Sequence, residues 1–252
     1  MKKLIVLIAL LTFSATMQAQ SVAQIDSTLN ALHDSIETAS VRTSDDSYYD
    51  LMIAANQDLS KYIYTLCKAY YKDGKMLFPA IKRNGVGVVT SDDSKLRFFS
   101  WDSWTGGTMR RYGSIIQYVD KHGMHLDCIS CDSTFDNGTY YDTIITLHTA
   151  SAQTIYLAGC ISVISSADAG ISFEAYIIKN DSLIKVDLFK KGKQLATYVG
   201  YERDYVSCKD KDIHFSKDLK KIYVPTEANR DTKESYDVYV FNGKYFVFKG
   251  NK

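Results

Sequence analysis

Leu96-Arg97-Phe98-Phe99-Ser100-Trp101-Asp102-Ser103-Trp104-Thr105-Gly106-Gly107-Thr108-Met109-Arg110 is the stretch on which the reading of the fold turns. It contains both tryptophans of the chain. Leu96–Trp101 has the β-branched and aromatic character of a strand, and Gly106 and Gly107 offer positive φ to a loop. Thr108–Val119 then returns as a second strand. The same grammar continues through Met124–Ser130, Tyr140–His148, Thr154–Ser165, Ile171–Ile178, Leu183–Phe189, Ala196–Tyr201, Lys221–Val224, Tyr236–Phe241 and Lys244–Phe248. Breaks such as Lys121-His122-Gly123, Asp136-Asn137-Gly138, Lys179-Asn180-Asp181 and Asn242-Gly243 carry turn chemistry. Short turns of this kind join antiparallel neighbours. Pro79 and Pro225 interrupt no run, so the chain predicts one antiparallel β meander over 75–252, a sandwich or open barrel, with no boundary inside Gly85–Lys252.

Upstream the period is helical. Val22, Ile25, Leu29, Leu32 and Ile36 form one apolar stripe on a helix over Ser21–Thr38. Leu51, Ala55, Leu59, Tyr62, Leu66 and Tyr70 repeat the pattern in a second helix, with capping candidates Asp45, Asp46 and Ser47 before it and Gly74 as its stop. The short link 41–44 predicts a helical hairpin over 20–74, packed on the β body. The fold class is therefore α+β. Thr90–Phe99 and Phe215–Val224 share a Ser/Asp/Lys turn feeding a strand, a phrase common in propeller blades. A small β-propeller is the alternative, although a propeller repeats its phrase at a steady spacing and only two distant copies are present.

Lys2, Lys3 and the apolar run Leu4–Phe13 lead to Met17-Gln18-Ala19, the pattern of a cleavable signal peptide over residues 1–19. The run is shorter than the roughly 20 residues that span a bilayer. No later segment is apolar enough to cross one. The first cysteine is Cys67, so there is no lipidation cysteine near the cleavage point. The expected product is exported, periplasmic or secreted. A net charge of +1, from 30 basic and 29 acidic side chains, argues against nucleic acid or an anionic membrane as partner. A hydrophobic content of 46% excludes extensive disorder. The 19 tyrosines suit half-buried strands and sugar-stacking surfaces alike.

With the leader, the helical hairpin and the closing Tyr236–Phe248 hairpin, the Leu96–Arg110 stretch resembles a group of uncharacterised exported proteins of Bacteroidetes-type bacteria. The resemblance implies a fold-mate and a lineage, and brings no activity or catalytic residues. Asp34-Ser35-Ile36, Asp142-Thr143-Ile144 and Asp181-Ser182-Leu183 resemble the triplet that such bacteria O-glycosylate on exported proteins. Ser182, in a predicted turn, is the candidate expected to be accessible.

Two readings of the tryptophan stretch stand. Trp101, Asp102, Trp104 and Arg110 form a ligand platform, with indoles stacking on a ring and the charges fixing its orientation. Alternatively the Trp pair closes one end of the core while Asp102 caps the turn. His122, His125, Cys128 and Cys131 recur at intervals of three and at first sight resemble a zinc set. On a strand, residues three apart point to opposite faces, so no metal is assigned. The odd number of cysteines leaves at least one unpaired, and Cys128 with Cys131 is a disulfide candidate. Cys67 lies beside the helical stripe as a small core residue.

Catalytic signatures are wanting. Glutamates are scattered, and Glu174, between aromatic neighbours, reads as an outward-facing strand residue. There is no Gly-x-Ser-x-Gly elbow, Gly85-Val86-Gly87 lacks a third glycine, and no Gly-Lys-Ser/Thr loop occurs. No cofactor is expected. The composition points to a non-enzymatic exported protein binding a glycan or cell-envelope partner through an aromatic patch. The alternatives are a glycan- or peptide-directed hydrolase and a structural or inhibitory partner of another exported protein.

Overall fold

The structure is a computed structural model that describes residues 21–41, 47–72, 75–76, 85–129, 139–149, 152–204, 212–226 and 235–252. The signal-peptide segment, Asp45, Asp46, Gly74, Cys131 and the Asp136-Asn137-Gly138 turn lie outside these residues. Helix α1 (Val22–Val41) begins one residue after the predicted start because Ser21 caps it. Ser21 Oγ accepts from the Gln24 amide at 3.2 Å, and Gln24 Oε1 accepts from the Ser21 amide at 2.8 Å. This reciprocal pair is a capping box. Helix α2 (Ser47–Ala69) lies beside α1. Its buried stripe is Met52, Asn56, Leu59, Ile63 and Leu66, a register offset from the predicted one at its start, and Leu51 is 51% exposed. Instead of running on to Gly74, the chain leaves the helix into a short hairpin, β1 (Tyr71–Lys72) with β2 (Lys75–Met76).

Three further sheets follow. The first is a four-stranded antiparallel meander, β3 (Val86–Thr90), β4 (Leu96–Asp102), β5 (Tyr112–Asp120) and β6 (Gly123–Ile129). The second runs β10 (Ser182–Lys185), β9 (Asp168–Lys179), β8 (Thr154–Val163), β7 (Tyr140–His148), with β13 (Tyr198–Asp204) also on β9. The third orders β12 (Gln194–Ala196), β11 (Phe189–Lys191), β17 (Phe246–Asn251), β16 (Tyr236–Phe241), β15 (Lys221–Pro225) and β14 (His214–Phe215). Along the chain, β13 of the second sheet comes after β11 and β12 of the third. Within it β11 and β17 are parallel, while the other described strand pairs are antiparallel. The described sheets differ in strand number and connectivity and do not repeat a blade.

Two helices and three sheets make four layers, and each junction has its own core. Ile25, Leu29, Leu59 and Ile63 of the helices meet Val86, Phe99, Trp101 and Ile115 of the first sheet. The opposite face of that sheet, with Leu96, Phe98, Ile116 and Tyr118, meets Tyr141, Tyr156, Ala158 and Tyr176 of the second. Leu157, Phe173 and Ala175 on the far side of the second sheet meet Ile222, Val224, Tyr239 and Phe246 of the third. Strands β4 and β5 are thus covered on both faces, which is why Leu96–Trp101 is not an apolar/polar alternation. At the middle junction Phe98 stacks on Tyr141 with centroids 4.0 Å apart.

The helices are held to the first sheet by a polar peg as well as by apolar contact. Trp101, fully buried, donates its indole N–H to Asn56 Oδ1 at 2.8 Å. Asn56, also fully buried, donates from Nδ2 to the carbonyls of Met52 at 2.8 Å and Ser103 at 3.0 Å. Opposite Trp101 on β5 sits Gly113. A Cβ there would lie 2.4 Å from the indole, so only glycine admits the ring.

The two Ser/Asp/Lys phrases fold into the same turn. Ser91 Oγ donates to Asp93 Oδ1 at 2.7 Å and accepts from the Leu96 amide at 3.0 Å. Ser216 Oγ donates to Asp218 Oδ1 at 2.6 Å and accepts from the Lys221 amide at 2.9 Å. Each turn carries one left-handed residue, Ser94 (φ 56°) and Leu219 (φ 56°). Among the described cysteines, Cys128 is disulfide-bonded, and Cys67 and Cys160 are free and buried.

Replacing Asn56 by Ala strands a buried indole N–H and is expected to destabilise the fold by about 1–3 kcal/mol in denaturant titration. Gly113→Ala, which drives a methyl into the ring, is expected to cost about 1–3 kcal/mol in the same measurement. Burial pushes the Cys67 thiol up to about 12, so its thiolate is on the order of one part in ten thousand at pH 8. A thiol reagent at that pH is expected to leave Cys67 unlabelled in the native protein and to label it in denaturant.

Candidate functional site

The four residues of the tryptophan stretch do not form an open platform. Trp101 is the peg just described, with no exposed surface, because its face of β4 lies under the helices. That corrects its placement as a stacking residue. Trp104 is partly buried against the same cluster and adopts φ 58°. Its indole Nε1 is buried with no hydrogen-bond partner among the described residues. The Arg110 guanidinium lies 5.5 Å from the centre of its ring. Arg110 also pairs with Asp102, whose other oxygen accepts the Trp104 amide at 2.9 Å. Asp102 thus caps the turn, and Arg110, its side chain 48% exposed, lies beside the indole and on Asp102.

Partly exposed aromatic surface lies elsewhere, on the outer face of the third sheet. Ile222 and Val224 point into the core, so strand alternation turns Tyr223 outward. His214 is the cross-strand neighbour of Tyr223 on β14. Their rings stack with centroids 4.6 Å apart and planes 9° from parallel. Tyr236 meets the imidazole edge-on at 5.0 Å. Val238, opposite Tyr223, and Val240, opposite Lys221, extend this surface, and both are partly exposed. Residues 214, 223 and 236 are brought together by register alone, so no motif announces them.

A second constellation forms where the β5–β6 turn meets the β9–β10 turn. Asp120 Oδ1 accepts the amides of His122 at 2.8 Å and Gly123 at 3.2 Å, and contacts His125 Nε2 at 3.0 Å. Its Oδ2 accepts the Asp181 amide at 3.1 Å and lies 3.7 Å from His122 Nδ1. His122 Nδ1 also pairs with Asp181 Oδ1. A side-chain hydrogen bond shared with Asp181, then that with His125, holds the Asp120 carboxyl below the usual carboxylate range. The bond to Asp181 raises His122 above its ordinary value. A groove beside the cluster is walled by Asp120 and Asn180 and by the exposed lysines Lys95, Lys121 and Lys179.

The series His122, His125, Cys128, Cys131 therefore does not converge as a set. Cys128 is opposite Ile115 on the helix side of the first sheet, whereas His125 is opposite Tyr118 on the other side. The two histidines nevertheless meet through Asp120, a residue that spacing among His and Cys left out. Cys131 lies outside the described residues. Ser182 is exposed at the start of β10 as expected, but it is not alone among the triplets, since Ser35 is also exposed on α1. Glu174 is not outward-facing as expected. Its carboxylate accepts from Lys185 Nζ at 2.7 Å and from the Tyr176 hydroxyl, which ties it into the edge of the middle core. No helix among the described residues is long and apolar enough to cross a membrane.

No family model and no curated protein matches the chain. Among solved structures, a periplasmic gluconolactonase of Pseudomonas aeruginosa is similar at 8% identity over 69% of this chain and 73% of that one, with a TM-score of 0.21. An overlap of that size carries no argument about fold or activity.

Asp102→Ala removes the acceptor for the Trp104 amide and the anchor of Arg110. The expected cost is about 1 kcal/mol of stability, with faster limited proteolysis between residues 103 and 111 than in the parent protein.

Proposed function

We propose that this chain is a non-enzymatic exported protein that binds a glycan or cell-envelope partner, and that the contact is the outer face of the third sheet. The observation that supports this reading is the His214–Tyr223 stack, a pair of parallel rings on a partly exposed sheet surface. The flanking valines and the outer edges of the stacked rings give this surface apolar area of the kind that packs on a sugar's C–H groups, while the phenol and imidazole supply hydrogen-bonding groups beside it. The tryptophan loop, by contrast, spends its aromatic and charged groups internally.

The reading is tested by retention of the purified protein on a panel of insoluble polysaccharides and isolated envelope fractions. Tyr223→Ala is expected to weaken binding about tenfold, the equivalent of roughly 1.4 kcal/mol, with Tyr223→Phe close to the parent. Equal binding by the parent and Tyr223→Ala would show that this face is not the contact.

A further inference from the structure

We propose that the junction of the β5–β6 and β9–β10 turns is a divalent-cation site of the zinc class, with Asp120, His122 and Asp181 as ligands and His125 holding Asp120. The inference is independent of the partner-binding face, which is built on another sheet.

The donor atoms of Asp120, His122 and Asp181 all lie within 4.8 Å of one another. Around a tetrahedral ion with bonds of about 2.0–2.2 Å, ligand atoms stand roughly 3.3–3.6 Å apart. The 3.7 Å between His122 Nδ1 and Asp120 Oδ2 is already near that spacing. His122 and Asp181 lie closer and open by rotation of two side chains that are 54% and 48% exposed. Two carboxylates and a neutral imidazole neutralise a doubly charged ion. An imidazole in a set of only three protein ligands favours a borderline metal over calcium or magnesium, which take more oxygens.

The supporting shell is formed by groups of both turns. Asp120, whose side chain is only 9% exposed, is oriented by three backbone amides and by His125. Hydrogen bonds of this kind hold a ligating carboxylate in place. Asp181 is presented by a turn in which Asn180 (φ 51°) and Asp181 (φ 61°) are both left-handed. Three protein ligands leave a fourth position to water. Because Asp120 and His122 belong to the first sheet and Asp181 to the second, the ion would bridge two layers, and its binding would add to stability by mass action.

The test uses the full mature chain stripped with EDTA. Added Zn²⁺ is expected to raise Tm and to titrate calorimetrically to one site per chain, with no comparable shift from Mg²⁺. Asp181→Asn and His122→Ala are expected to abolish both signals. His125→Ala is expected to weaken affinity about tenfold to a hundredfold. His33→Ala is expected to change nothing, which separates this site from the His33, Asp34 and Glu37 group on α1. Each variant's Tm in EDTA reports its fold. Independently of any variant, the His122 imidazole resonances are expected to shift on Zn²⁺ addition. Absence of a zinc response in the parent, unmoved His122 resonances, or a response retained in Asp181→Asn would each overturn the assignment.

Discussion

The indole of Trp101 makes three demands at once. It requires a glycine across the strand, an acceptor for its N–H, and apolar cover on the helix side. Gly113, Asn56 and the stripe of α1 and α2 meet them. Because Asn56 also ties off the carbonyl of Ser103, one side chain fixes helix α2, strand β4 and the loop that follows it. An unpaired buried amide or indole N–H is costly. The peg therefore selects the helix rotation that buries Met52 and Asn56 and leaves Leu51 in water.

From that first contact the architecture is a stack in which each inner sheet is sandwiched. Antiparallel sheets commonly keep one face wet. Here the first sheet has helices on one side and a sheet on the other, and the second lies between two sheets. Polar side chains on the covered strands find partners within a sheet or across a junction, with Thr146 Oγ1 an exception among the described residues. Arg97 Nη1 donates to Gln117 Oε1 at 3.0 Å, and Tyr156 donates to Asp93 Oδ2 at 2.8 Å. Burial pushes the Arg97 guanidinium down to about 10, which leaves it charged at neutral pH.

How much of this was legible depended on range. Helices, strands and turns follow from local period and turn residues, and the paired Ser/Asp/Lys phrases proved to be one turn used twice. The antiparallel class followed from the short connections. Layering was not legible, because a strand buried on both faces loses the alternation that tells inside from outside. That loss also left Trp101 ambiguous, since an indole on a core strand and one on a binding face are written with the same letters. The outward aromatic group was hidden for the opposite reason. His214, Tyr223 and Tyr236 belong to three strands, and only register brings them together. At the turn junction the His spacing was visible, but the carboxylate partners of His122 were a neighbour in the turn and an aspartate 59 positions away.

The parallel pairing of β11 with β17 also bears on the order of folding. The first sheet is made of consecutive strands, so it forms from contacts that are close along the chain. The third sheet places residues 246–251 between β11 and β16. Its centre therefore stays open until that last strand arrives, and Phe189, whose cross-strand neighbour is Phe246, waits with an unfilled side. Distant pairings of this kind are slow to form and leave apolar surface exposed meanwhile. The strand order of the outermost layer is thus joined up only by residues 246–251, while that of the helix-covered layer is complete without them.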